Sequence, residues 1–149
     1  MAFLVRSIHV GSVTFVLGGA LLLVLIFYLN RSTPLSSTEV LLKLMEAYEY
    51  GFWAATGLIV ATGIGNIAHF GDGLPGVDST WGGRFALKLA LVGVLLALSA
   101  VRVLALHLVS GMPPELRTGT RIANLQGLYG ATAVIATGAG ALAIAMAHF

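Results

Sequence analysis

The stretch from about residue 8 to residue 29, opening Ile8-His9-Val10 and closing Phe27-Tyr28-Leu29, holds no Asp, Glu, Lys or Arg. A helix needs roughly 20 such residues to cross the hydrocarbon of a bilayer. Inside hydrocarbon, only a helix or a closed barrel satisfies its own backbone. Three further stretches are long and apolar enough to read as spans: about 48–70, which holds Glu49 and is stopped by Gly71-Asp72-Gly73-Leu74-Pro75-Gly76; about 83–109, which holds Arg84, Lys88 and Arg102 and is stopped by Ser110-Gly111-Met112-Pro113-Pro114; and about 123–147. No proline falls inside any of them. The expectation is an all-α chain, a single transmembrane four-helix bundle over residues 1–149.

Composition agrees and excludes other classes. With 58% hydrophobic residues, 9% charged and a mean hydropathy of +0.95, the chain reads as one whose main solvent is lipid. The eight Lys and Arg stand singly rather than in runs, so nucleic acid is not an expected partner. Cysteine is absent, which rules out disulfides, thiolate metal sites and covalently attached haem. No Gly-x-Ser-x-Gly, phosphate loop or His-Glu-x-x-His occurs, so no catalytic activity is expected of the chain alone. The first span is too long for the apolar part of a signal peptide and no small-x-small cleavage pattern follows it, so it is expected to be retained.

Small residues at helical spacing, Gly57, Ala61 and Gly65, then Gly130 and Gly138, are the expected points of close helix packing. The strings that start at Ala55 and Ala131 resemble each other with one gap, as two duplicated helical hairpins would. For orientation, Arg31, Lys43, Arg102, Arg117 and Arg121 fall on one side against Arg6, Arg84 and Lys88 on the other. The positive-inside rule then places both termini outside a prokaryotic-type cytoplasmic membrane.

That topology sorts the histidines, which are costly at membrane depth and therefore functional candidates. His9, His69 and His148 fall on one side and His107 on the other. Residues Phe3, Leu4, Val5 and Arg6 suggest that the first helix begins early and sets His9 inside it. Two cofactor readings stay open. A b-type haem would take His9 and His69 as axial ligands, with Arg6, Arg84 and Lys88 meeting its propionates and Asn66 one turn before His69. A copper site would use His9, His69, His148 and the thioether of Met146. Beside both stands the plain alternative of interfacial histidines with no cofactor.

On the opposite side Glu46, Glu49, Tyr50 and Trp53 recur at spacings of three and four, with Arg102 and His107 at the same depth on the third span. A buried carboxylate there would want Arg102 as partner. The functional reading is a proton path or a docking site; the structural reading is one interhelical ion pair and an aromatic belt.

The first span, with His9 followed by Gly18-Gly19, resembles the first helix of the copper resistance D family. Trp81-Gly82-Gly83-Arg84-Phe85-Ala86-Leu87-Lys88-Leu89 resembles a helix opening of that family, and Thr62-Gly63 fits its second helix. The resemblance implies an integral membrane protein of copper uptake or export, with a helical core similar to that of b-type cytochromes. It carries over only to His9 and His69, and the chain departs from longer members in having fewer spans and no methionine-rich segment. The sequence therefore leads to a subunit of a larger membrane assembly, concerned with electron transfer through haem, with copper handling or a cofactor-free structural role as alternatives.

Overall fold

The computed structural model describes residues 2–32, 37–67, 76 and 78–147. It is all-helical, with four long helices: α1 (Ala2–Ser32), α2 (Thr38–Ile67), α3 (Thr80–Ser110) and α4 (Gly119–Ala147), plus a 3-10 turn at Pro114–Leu116. Among the described residues there is no strand.

The helix ends follow local chemistry. The helix α2 starts where Ser37 accepts from the amide of Val40 through its hydroxyl and from that of Leu41 through its carbonyl. Ser79, in extended conformation, caps α3 by accepting from the amide of Gly82 at 3.0 Å. At the other end Gly111 closes α3, its N–H reaching the carbonyl of His107 while the N–H of Met112 reaches that of Val109. Pro113 and Pro114 then prevent continuation. Arg117 clamps this turn, donating from Nε to the carbonyl of Met112 at 3.0 Å and from Nη2 to that of Ser110 at 2.9 Å.

Consecutive helices touch, and α4 returns to α1. Backbones approach most extensively between α1 and α2 and least between α2 and α3, and across the α2–α4 diagonal side chains meet, the rings of Tyr48 and Tyr129 lying 5.8 Å apart. The interior is built from Val16, Ala20, Leu23 and Phe27 of α1, Met45, Tyr48 and Phe52 of α2, Leu106 of α3, and Leu125 and Tyr129 of α4. Tyr48 ties α2 to α1 by donating its hydroxyl to the carbonyl of Val16 at 2.9 Å.

The outward faces carry the remaining apolar side chains. Leu21, Leu22, Leu25, Leu58, Ile64, Leu104, Val134 and Ile144, drawn from all four helices, are all exposed. Among the described residues three helices are long and apolar enough to cross a membrane, Phe3–Asn30, Thr80–Ser110 and Gly119–Ala145. The expected second span is not among them. The first half of α2 carries Glu39, Lys43, Glu46 and Glu49, and its second half is diluted by Trp53, Thr56 and Thr62; residues 68–70 of the expected span lie outside the described residues.

The close packing also falls elsewhere than expected. Nothing lies within 4 Å of a Cβ built at Gly57, Gly130 or Gly138, while Ala61 is exposed and the surroundings of Gly65 are not described. The tight approaches are at Gly19, where a Cβ would stand 2.7 Å from the Tyr48 ring, and at Gly51, where it would run into the ring of Phe15. Both lie on the α1–α2 contact, where a missing side chain lets an aromatic ring reach the opposing backbone.

Candidate functional site

Two polar sites lie along α2, separated by the rise from Glu49 to Thr62, about 20 Å of helix.

The first surrounds Arg102 of α3, which is 0% exposed. Its Nε donates to Glu49 Oε1 at 2.7 Å and its Nη2 to Glu49 Oε2 at 3.1 Å, a two-pronged match of guanidinium to carboxylate. Ser99, one turn earlier on α3, donates to the same Oε2 at 2.9 Å. The remaining prong, Nη1, donates to Thr132 Oγ1 of α4, and that hydroxyl passes its own proton to the carbonyl of Leu128 at 2.9 Å. Three rings enclose the guanidinium, with Cζ 4.8 Å from the centroid of Phe52, 5.1 Å from Tyr129 and 5.6 Å from Tyr48. Arg102 thus joins α2, α3 and α4 in one polar knot inside an apolar shell. Among the described residues the Tyr129 hydroxyl is the buried side-chain polar atom without a hydrogen-bond partner.

Glu49 also faces outward, into a cleft of about 230 Å³ at the sparse α2–α3 seam. Glu46, Tyr50 and Trp53 of α2 and Val103, Leu106, His107 and Ser110 of α3 line the rest of it. Of the polar residues expected to cluster here, Glu49 and Arg102 pair directly, whereas Glu46 and His107 remain exposed on the cleft walls.

The second site is at His9, half-buried on α1. Its Nδ1 lies 2.9 Å from Thr62 Oγ1 on α2. Thr62 has one hydroxyl proton, and that proton goes to the carbonyl of Leu58, one turn back on its own helix. The hydroxyl can therefore only accept from His9, so the ring proton sits on Nδ1 and the lone pair on Nε2. Held this way, a neutral imidazole presents one ligating nitrogen whose direction a neighbouring hydrogen bond has set. Lys88, half-buried on α3, lies within charge–charge range of His9.

The other candidates divide. Arg6 is exposed and Arg84 half-buried. His69 and His148 lie outside the described residues, as does the surrounding of Asn66, and the side chain of Met146 on α4 is likewise not described. Among the described residues no three His, Asp or Glu side chains converge as a metal site would require. Sequence reasoning did not find Thr62 as a partner of His9, nor Ser99, Thr132 and Tyr129 around Arg102. Their only signal is a polar atom in an apolar run.

No family model, curated protein or solved structure matches this chain. What fold and sites define is an all-helical chain with three helices suited to a lipid bilayer and its charge pair turned inward.

Proposed function

We propose that this chain is an integral membrane subunit, a four-span helical bundle with both termini outside a prokaryotic-type cytoplasmic membrane, acting within a larger electron-transfer assembly. Support for the membrane comes from the inversion of polarity: the ion pair is inside and leucine, valine and isoleucine face out. Support for the assembly is the open α2–α3 seam, which leaves polar and aromatic side chains on an otherwise apolar surface.

The observation that carries the site is the His9–Thr62 hydrogen bond. The donor set fits a b-type haem: His9, a neutral imidazole with its Nδ1 proton anchored, would be one of the residues that hold it. His69 is the second ligand in this reading, and Lys88, Arg84 and Arg6 are the cations for the propionates. When bound, the haem supplies a one-electron couple. The chain contributes the fixed ring and the cations. Copper is the second reading, favoured by the same Nε2 lone pair and by the resemblance to the copper resistance D family, with His148 and Met146 as further ligands.

A reduced-minus-oxidised visible spectrum of the detergent-purified protein tests both. A b-type α-band lost in His9→Ala and in His69→Ala is the expected result. A flat spectrum with stoichiometric copper by elemental analysis would move the assignment to copper handling. A flat spectrum with no metal would leave a cofactor-free structural subunit.

A further inference from the structure

We infer that the cleft between α2 and α3 is a binding site for the primary ammonium headgroup of a phospholipid, phosphatidylethanolamine, seated at the membrane boundary. The inference rests on the reading of this chain as membrane-embedded.

Charge accounting selects the headgroup. Glu49 is already matched by Arg102 behind the cleft wall. Glu46, exposed one turn before Glu49 and in no ion pair among the described residues, is left as the site's uncompensated carboxylate. The cleft therefore asks for one positive charge. A carboxylate offers about four acceptor positions, and Glu49 uses three of them, two for Arg102 and one for Ser99. One remains on Oε1. Glu46 and Glu49 together suit a cation that brings several N–H donors, which a primary ammonium has and a choline lacks.

The walls suit the rest of such a molecule. Trp53 and Tyr50 line the cleft, and such residues settle at the level of lipid headgroups and attract cations. Val103 and Leu106 are apolar surface for the first carbons of the acyl chains. At the cleft's end Ser110 carries Arg117, whose guanidinium uses two of its five N–H donors on the carbonyls of Met112 and Ser110. Its other donors are the cationic partner offered to the lipid phosphate, so both charges of a zwitterionic lipid have an opposite. A volume of about 230 Å³ holds a headgroup.

The test uses the full-length protein in uncharged detergent. Thermal unfolding and lipid retention in native mass spectrometry are measured with added dioleoyl phosphatidylethanolamine, phosphatidylcholine or phosphatidylglycerol, and with glycerophosphoethanolamine as the free headgroup. The expected result is selective stabilisation and retention of phosphatidylethanolamine. Glu46→Gln should weaken that retention roughly tenfold, the loss of one charge-assisted hydrogen bond, while leaving the unfolding temperature without lipid unchanged because Glu46 is exposed. Equal effects of the ethanolamine and choline lipids, full selectivity retained in Glu46→Gln, or a free headgroup that reproduces the lipid's effect would each overturn the inference. A chain that purifies without detergent would instead overturn the membrane reading beneath it.

Discussion

Arg102 and Glu49 meet through both prongs of the guanidinium, at 2.7 and 3.1 Å, with the arginine wholly buried and the glutamate 5% exposed. Removing one partner strands the other charge where nothing can solvate it, which costs about 3–5 kcal/mol, while removing both leaves an apolar gap that is far cheaper. Glu49→Leu and Arg102→Leu should each lower stability by that amount, and the double variant should recover most of it. Unfolding in detergent measures all three. Additive losses would show that the pair does not act as a unit.

Arg102→Lys keeps the charge and still fails. A lysine reaches one carboxylate oxygen as a point charge and cannot serve Glu49 with two parallel bonds while donating to Thr132. It should fall clearly below wild type in the same unfolding measurement. Equal stability would mean that charge alone, without the fork, holds α2, α3 and α4 together.

The two tyrosines of the cage should respond differently to loss of their hydroxyls. Tyr48→Phe loses the bond to Val16 and should cost about 1 kcal/mol. Tyr129→Phe keeps the ring against Arg102 and deletes a hydroxyl that has no partner, so stability should hold or rise. A loss at Tyr129 as large as that at Tyr48 would reveal a bridging group on its hydroxyl.

Glycine substitutions separate tight contacts from open ones. Gly19→Ala pushes a methyl into the ring of Tyr48, which is buried and tied by its hydroxyl, and should cost about 1–3 kcal/mol. Gly51→Ala meets Phe15, which is 47% exposed and free to swing away, and should cost less. Gly57→Ala meets nothing and should be neutral or stabilising by up to about 1 kcal/mol. The ranking, read from unfolding midpoints, is the check.

The His9 tautomer is open to nitrogen-15 NMR of histidine-labelled protein, independently of any cofactor. Wild type should show the proton on Nδ1, and Thr62→Val should release the ring to mixed tautomers. A proton on Nε2 in the wild type would remove the basis for ligation through that atom.

Much of this was legible in the chain itself. Gly111, Pro113 and Pro114 mark the end of α3, and Ser37-Thr38-Glu39 the start of α2, because caps and breakers act on their own neighbourhood. Glu49 and Arg102 could be expected to meet, since charged groups at membrane depth have few options. Thr62 could not be matched to His9, because that pairing depends on the register of α1 against α2, which rings of Phe15 and Tyr48 over Gly51 and Gly19 set. Nor does hydropathy settle α2: its carboxylates count against a span, yet Glu49 is neutralised by a residue on another helix. Reporter fusions at the two termini decide between the alternatives, since four crossings put the ends on the same side and three put them on opposite sides.

The distance along the chain between Glu49 and Arg102, 53 residues, also sets an order of events at the ribosome. Synthesis at 5–20 residues per second leaves the carboxylate waiting roughly 3–10 seconds for its guanidinium. In the four-span reading, until α3 emerges α2 has an unmatched acid in its middle and cannot rest stably among lipid tails. Helices α2 and α3 should then be released into the bilayer as a pair, with arrival of Arg102 as the event that seals α2 in place.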